Sequence, residues 1–326
     1  MRHNGSIHKI VFDFSREIVD FPFSEDIDNL LEDNMNQWFL LLNQNGVEEI
    51  DISCFEDSGY LVPNWIFSCP TLKRLKLSNV VVELANAYVL PNVTSLNLEY
   101  VEFVHENCSD YVVYLPMLED LSFRNCENIF YFNIVAAPKR CSLVVSFDYW
   151  SWHNPKVMLP NFDLGCISSL DLKCPVRYLE MFIEELNTVG QPFALNVEHL
   201  KLCISTASCL RDDINPFIQL MRACPKLCEL DIRRVKFLKL NPEDFVLMEE
   251  LSSVAQTQKM LRTLKFSHFI GMRSEMQSIK VLLACFPRIE KVVIARGWIS
   301  PDKEFEIMQE LLRFPCASTK AEIVYI

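Results

Sequence analysis

The stretch CPTLKRLKLSNV at residues 69–80 carries the pattern that decides the fold of this chain. The stretches LPNVTSLNLEYV at residues 90–101 and LPMLEDLSFRNC at residues 115–126 repeat it. All three fit the template Pro-x-Φ-x-x-Φ-x-Φ, in which Φ is an apolar residue. The central apolar residues Leu75, Leu96 and Leu121 lie 21 and 25 residues apart. Spacings in this range are typical of leucine-rich repeats.

The template returns along the rest of the chain. Residues 225–232 and 287–294 restore it with the proline, and residues 197–202 and 261–266 carry it without one. Weaker copies occupy residues 47–52, 141–145 and 167–172. Together these make ten units, so the repeat extends over most of the sequence.

The last two apolar residues of the template predict a short strand. They are two residues apart, so both point to one face of the strand, and the residue between them points to the other. One unit cannot bury its apolar face alone, but stacked units bury it continuously. The sequence therefore predicts an α/β leucine-rich-repeat solenoid, a horseshoe with a parallel sheet on its concave face and loops or helices on its convex face.

The segments between the strands lengthen along the chain. Early units leave room for a loop or a short turn of helix, whereas later ones hold apolar residues at helical spacing. These helical segments are centred on residues 179–186, 214–221, 245–254, 279–286 and 301–312, and a further amphipathic segment spans residues 27–42. Residues 7–14 and 321–326 read as terminal strands.

The predicted organisation is one continuous solenoid in three parts. Residues 1–46 form an N-terminal strand and capping helix, residues 47–270 the repeat array, and residues 271–326 the C-terminal repeats and cap. No run of 18 apolar residues is present to span a bilayer.

Composition narrows the class of function. The formal net charge is −12, so no basic footprint is available to neutralise nucleic-acid phosphates or to hold an anionic membrane. The 13 cysteines are scattered without a disulfide framework, which favours free thiols and a cytoplasmic or nuclear protein. No catalytic or metal-binding motif is recognisable. We expect a non-enzymatic protein without cofactor or metal, whose partner is another protein.

The concave strand face is the predicted binding surface, because solenoids present extended concave surfaces to partners. The intervening residues of each strand point outward there. The candidate partner-binding residues are Arg74, Lys76, Ser95, Asn97, Glu99, Asp120, Arg124, His199, Lys201, Glu229, Asp231, Arg233 and Lys265. Four further positions of the same kind are Ser78, Ser122, Thr263 and Ser267. The aromatic segment at residues 149–153 is either a second anchor for a partner or a cover for the solenoid.

Several of the repeats resemble plant F-box proteins with leucine-rich repeats and a C-terminal FBD-like region. The resemblance rests on GVEEIDI (residues 46–52), LVP (61–63), IFSCPTLKRLKL (66–77), LPMLEDLS (115–122) and CFPRIEK (285–291). It implies that the repeats recruit a client protein, while an N-terminal F-box docks on the adaptor of a cullin ubiquitin ligase.

The F-box would precede Ile7, where six residues stand in this sequence. The chain is therefore expected to lack it, either as part of a longer protein or as a variant without ligase attachment. The first alternative makes it the substrate-recognition part of a ubiquitin ligase receptor. The second makes it a stand-alone regulatory or vestigial protein that binds a client without ubiquitylation. Adaptor and cullin are partners only where an F-box lies upstream.

Overall fold

A computed structural model describes residues 7–14, 46–55, 59–83, 87–104, 111–129, 132–135, 140–147, 162–188, 194–205, 215–233 and 245–326. The chain divides into two compact units. The first comprises residues 1–141 and 154–166, and the second comprises residues 142–153 and 167–326. The predicted capping helix at residues 27–42 and the aromatic segment at residues 149–153 lie outside the described residues.

A parallel sheet forms the centre of the first unit. Its strands are β1 (Lys9–Asp13), β2 (Glu49–Ser53), β3 (Arg74–Glu83), β5 (Ser95–Val104) and β7 (Asp120–Arg124), in the order β1-β2-β3-β5-β7. Leu75 and Leu77 pair with Leu96 and Leu98 on the next strand, and all four are at most 1% exposed. The template leucines thus form the core, as the period of two predicts.

The repeat proline has a defined place in this architecture. Pro70 is the second residue of a turn in which the Leu72 amide donates to the Cys69 carbonyl oxygen at 3.4 Å. Equivalent turns surround Pro91, Pro116 and Pro225, with N···O distances of 3.2–3.4 Å. Proline suits this position because its ring fixes φ near the value that the turn requires. At these four positions the proline therefore directs the chain into the strand that follows.

Four strands, three in the first unit and one in the second, contain or are directly followed by a residue whose backbone is in the left-handed region. These residues are Asn79, Tyr100, Asn125 and His268, with φ between 51° and 57°. The extra residue lengthens the spacing between buried side chains from two to three, as between Leu77 and Val80. Where it is missing, the spacing stays at two, as between Ile52 and Cys54. The inserted residue forms a β-bulge. It lies at the same position in β3 and β5, because Val80 pairs with Val101.

A second, smaller sheet is formed by the segments that connect the repeat strands of the first unit along the chain. It consists of β4 (Tyr88–Val89), β6 (Tyr111–Tyr114) and β8 (Phe132–Val135), paired in parallel in that order. Val113 and Ile134 pair with each other and are buried. The sequence predicted a loop or a short turn of helix in these connections. The structure has a 3-10 helix at Asn64–Ser68 in one of them and this sheet in the later ones.

The second unit alternates strands and helices. Its strands are β9 (Cys141–Ser146), β10 (Ile167–Pro175), β11 (His199–Ser205), β12 (Glu229–Arg233), β13 (Thr263–Phe269), β14 (Lys291–Arg296) and β15 (Glu322–Tyr325). The first residue of β9, Cys141, is assigned to the first unit. They are adjacent in chain order, and the pairs from β10 to β15 are parallel.

The helices of the second unit follow the predicted segments. They are α1 (Val176–Thr188), α2 (Asn215–Ala223), α3 (Phe245–Thr257), α4 (Arg273–Cys285) and α5 (Pro301–Leu311). Helix α1 packs on α2, α2 on α3, and α3 on α4. No helix in the described part of the chain is long and apolar enough to cross a membrane. The predicted fold class, an α/β leucine-rich-repeat solenoid, is confirmed.

Candidate protein-binding face

The side chains opposite the core form what we call the open face of each sheet. In the first unit, strand register arranges them in three rows. Row one is Lys9, Glu49, Arg74, Ser95 and Asp120. Row two is Val11, Asp51, Lys76, Asn97 and Ser122, and row three is Asp13, Ser53, Ser78, Glu99 and Arg124. Neighbours within a row are close enough to interact directly.

The cations of β1 and β3 are matched by carboxylates on β2. Glu49 binds Arg74 and lies 3.4 Å from the Lys9 Nζ, while the Lys76 Nζ lies 3.4 Å from an Asp51 carboxylate oxygen. The hydrogen bond from Arg74 is the main reason that the pKa of Glu49 is lowered, and the same bond raises the pKa of Arg74. The charge at this end of the first unit is therefore largely satisfied within the face itself.

The remaining candidates of the first unit follow on β5 and β7. Ser95, Asn97 and Glu99 are half-buried, whereas Asp120 and Arg124 are exposed. Glu99 is the cross-strand neighbour of Arg124. Ser78 and Ser122 were expected to be exposed with the others, but both are buried. The Arg124 Nε donates to the Ser122 Oγ at 3.3 Å, so the longer side chain lies against the serine.

The second unit repeats this arrangement over β10 to β13. Row one is Ser169, His199, Glu229 and Thr263. Row two is Asp171, Lys201, Asp231 and Lys265, so charge alternates from strand to strand. Row three is Lys173, Cys203, Arg233 and Ser267. Register thus brings together the candidates of this unit that sequence reasoning selected separately.

Asp231 differs from the other candidates because it is 1% exposed. Its Oδ1 accepts a hydrogen bond from the Ser267 hydroxyl at 2.7 Å, and its Oδ2 lies 3.7 Å from the Lys265 Nζ and 4.0 Å from the Arg233 Nε. Asp231 was expected to contact a partner directly, but this carboxylate is covered by the side chains that it attracts. Its geometry instead suits the orientation of Lys265 and Arg233. Ser267, also expected to be exposed, is buried beside it.

Cations exceed carboxylates on rows two and three of the second unit. From β10 to β13 these rows hold Lys173, Lys201, Arg233 and Lys265 against Asp171 and Asp231. The positions that follow on β14, Val293 and Ala295, are uncharged. Sequence reasoning missed the exposed Lys173 because residues 167–172 are a weaker copy of the template, from which no candidate was taken. Row one adds Glu229, so the three rows from β10 to β13 hold four cations against three carboxylates, on a chain whose net charge is −12.

The described part of the chain also contains cysteines, whose thiols are chemically reactive side-chain groups. There, 11 cysteines are free, and no group of His, Cys, Asp and Glu residues is placed to hold a metal ion. Burial raises the pKa of Cys126, Cys174 and Cys224 to about 12. Because the thiolate is the reactive form, these three thiols are inert at neutral pH. Cys316, by contrast, is exposed.

Thiol labelling checks this assignment. At pH 7.5 we expect iodoacetamide to modify Cys316 in the native chain and to leave Cys126, Cys174 and Cys224 intact, because the buried thiols are both inaccessible and protonated. Peptide mapping by mass spectrometry after timed quenching would measure this, with urea-unfolded protein as the control in which all four react. Modification of Cys224 as fast as Cys316 in the folded chain would contradict the assigned core position.

Comparison with known proteins agrees with this repeat architecture. The family model described as "FBD-associated F-box protein At5g56370, LRR repeats" matches residues 35–153. The chain is similar to plant F-box proteins with leucine-rich repeats. The resemblance drawn from the repeat motifs is thereby confirmed, and leucine-rich repeats of this kind are protein-interaction modules.

Two Arabidopsis thaliana proteins extend the similarity beyond the matched segment. F-box/FBD/LRR-repeat protein At1g13570 is 24% identical, in an alignment that covers 99% of this chain and 81% of that protein. FBD-associated F-box protein At5g38590 is also 24% identical, over 66% of this chain and 60% of its own length. The similarity to the first of these F-box/LRR proteins thus includes both units.

Proposed function

We propose that this chain is the substrate-recognition part of an F-box-type ubiquitin ligase receptor, and that the open face of its second unit binds an acidic segment of a client protein. The excess of cations on rows two and three carries the proposal. Lys173 is exposed and Lys201 is half-buried, while the Lys265 Nζ and the Arg233 Nε lie 3.7 and 4.0 Å from the Oδ2 of the buried Asp231. The ligase-receptor part of the proposal rests on the similarity to these two F-box proteins and on what the resemblance to that family implies.

The spacing of these cations suits a polypeptide. Neighbouring strands lie about 4.8 Å apart, so Lys201 and Lys265, two strands apart, present positive charge about 10 Å from each other. Carboxylates of an acidic segment can reach both, and complementary charge steers such a segment to this face. The contribution of the chain is to position the client, while separate subunits transfer ubiquitin.

Neutralising the accessible cations is expected to weaken client binding. Lys173→Gln and Lys201→Gln should each lower affinity roughly fivefold, which corresponds to about 1 kcal/mol for a charge pair at a partly exposed site. Lys280→Gln, at an exposed lysine of α4 in the same unit, is the matched control and should change affinity less than about twofold. Quantitative affinity capture from plant extract would compare the variants with wild type, and circular dichroism would verify folding.

Two outcomes of this capture bear on the proposal separately. Equal loss of the captured proteins in all three lysine variants would contradict the assignment to the open face. Recovery of the adaptor and cullin with the client would support the ligase receptor, whereas a client without them would support a stand-alone binding protein. Charge reversal of Arg74, Lys76 and Arg124 in the same assay tests whether the first unit contributes to binding.

A further inference from the structure

The four cations on rows two and three of the second unit follow a regular order. Each strand from β10 to β13 carries one of them on these rows: Lys173, Lys201, Arg233 and Lys265. They alternate between the rows, since Lys173 and Arg233 lie in row three, and Lys201 and Lys265 lie in row two. We call this arrangement the cation zigzag. The repeat template does not require it, because the template specifies only the apolar positions and the proline.

Strand geometry gives the zigzag its dimensions. Neighbouring strands lie about 4.8 Å apart, so the strands of Lys173 and Lys265, three steps apart, are separated by about 14 Å. Rows two and three are two residues apart along a strand, which corresponds to about 6.7 Å. A partner that meets all four cations therefore needs carboxylates at intervals of about 4.8 Å, alternating between two parallel lines.

An α-helix can present carboxylates in this arrangement. Acidic residues spaced by three, four and three positions lie about 4.5, 6 and 4.5 Å apart along the helix axis, and together they span about 15 Å. At about 100° per residue they fall alternately on two lines of the helix surface, about 60° apart. At the outer radius of the helix these lines are about 5–6 Å apart, a separation that flexible lysine and arginine side chains can match.

An extended segment fits the zigzag less well. Its side chains on one face recur every two residues, about 6.8 Å apart, so four of them span about 20 Å instead of about 14 Å. They also lie on one line, because alternate residues of a strand point to the same side. The carboxylates of a strand can therefore meet two or three neighbouring cations of the zigzag, but not all four.

The carboxylate at the centre of the zigzag is not presented to a partner. Asp231 lies in row two between Lys201 and Lys265, but it is 1% exposed, and its Oδ1 accepts the Ser267 hydroxyl at 2.7 Å. The side chains of Lys265 and Arg233 beside it keep 35% and 34% of their surface exposed. An approaching carboxylate therefore meets these cations before it meets Asp231.

Two further carboxylates border the zigzag. Asp171 is the row-two neighbour of Lys201, and Glu229 lies in row one beside His199; both carboxylates are half-buried. They lower the net charge of the face, so a partner is selected by where the charges lie rather than by their sum. Neutral or basic side chains are expected on the flank of the partner that faces Glu229.

We propose that the acidic segment of the client binds to this face as an α-helix that lies across β10 to β13, with about one carboxylate per turn against each cation of the zigzag. The inference rests on the proposed function, because it specifies the conformation of the segment that this face binds. The zigzag corresponds to about three helical turns. A helix of this length is marginal alone in water, so a client peptide should gain helix when it binds.

Fluorescence anisotropy of the 326-residue chain with labelled synthetic peptides tests the helix. The first peptide is alanine-rich and carries four glutamates at intervals of three, four and three residues. Its isomer has the same composition with a glutamate at every second position. A third peptide keeps the first spacing but has proline in place of a central alanine, which breaks the helix. We expect the first peptide to bind at least fivefold more tightly than either of the others, and difference circular dichroism should show that it gains helix.

Substitutions in the chain locate the peptide on the zigzag. Lys173→Gln and Lys265→Gln, at opposite ends of the zigzag, should each weaken binding of the first peptide at least threefold. Lys280→Gln, on α4, is the matched control and should leave its affinity unchanged. Replacing the first or the last glutamate of the peptide by glutamine should couple to a different one of the two zigzag lysines in a double-mutant cycle. Circular dichroism would verify that the variants stay folded.

The outcomes separate this inference from the proposed function. Equal binding of the three peptides, each weakened by Lys201→Gln, would support an acidic-segment face and overturn the helix. Coupling of both end glutamates to the same lysine would overturn the helix as well. If none of the glutamate peptides binds at concentrations up to about 1 mM, both the helix and the acidic-segment face are wrong.

Discussion

Leu230→Ala should lower the free energy of unfolding by about 2–5 kcal/mol, the cost of truncating a fully buried leucine. Leu230 is 0% exposed and lies in β12 between Leu200 and Leu264, its register neighbours on β11 and β13. Its removal leaves a cavity that adjacent strands cannot fill without breaking their own pairing. Leu96→Ala should have an effect in the same range in the first unit, where Leu96 lies between Leu75 and Leu121.

Urea unfolding followed by circular dichroism would measure the loss as a shift of the transition midpoint. Leu312→Ala is the matched control, because the same atoms are deleted from a side chain that is 76% exposed. It should change stability by less than about 0.5 kcal/mol. Equal midpoints for Leu230→Ala and Leu312→Ala would show that the template leucines do not form the core.

Much of the fold could be predicted because the repeat encodes burial directly. The two apolar residues at the end of each template fix which strand face is buried, and stacking follows because no unit buries that face alone. The small sheet of the first unit was missed for a physical reason. Its strand β6, with the sequence YVVY, has no alternation of apolar and polar residues, and β4 is two residues long. These strands are held by backbone hydrogen bonds to neighbouring strands, and the sequence does not show which segments will become neighbours.

The left-handed bulges did leave a signal in the sequence. Buried residues three apart, as in Leu77 and Val80 or Phe266 and Phe269, mark an inserted residue, whereas two apart marks a regular strand. Reading that change of spacing would have located Asn79 and His268. Asparagine tolerates the left-handed region well, which strengthens the signal at Asn79.

The candidate binding face was predictable in its direction but not in its electrostatics. The alternation of apolar and polar residues showed which side chains point away from the core. The solvent exposure of each of these side chains depends, however, on its neighbours on the adjacent strands. Asp231 is buried because register places Lys265 beside it and Ser267 diagonally opposite, a relation that requires the pairing of β12 with β13. Likewise, Arg74 and Lys76 are paired with β2 carboxylates that the sequence offers 25 residues earlier.

Gly271→Ala should be nearly as destabilising as a core truncation, by about 2–4 kcal/mol. Gly271 has φ of +73°, where a residue with a Cβ loses about 1 kcal/mol or more. Its added Cβ would also lie 2.1 Å from the Cδ1 of the buried Ile307. The backbone has little freedom to withdraw, since the buried Glu275 carboxylate accepts hydrogen bonds from the Ile270 and Met272 amides at 3.1 and 2.9 Å. Overpacking of this kind adds about 1–3 kcal/mol.

Gly59→Ala separates the two causes in the same urea experiment. Gly59 has φ of +60°, but nothing lies within 4 Å of its would-be Cβ, so the alanine there should cost only the backbone term of about 1 kcal/mol. The excess at Gly271 is then the contact with Ile307. Ile307→Val removes the Cδ1 atom, so combining it with Gly271→Ala should recover most of that excess in a double-mutant cycle. Equal costs at the two glycines would mean that Ile307 does not pack against this loop, and that α5 is held to the core by Leu311 without it.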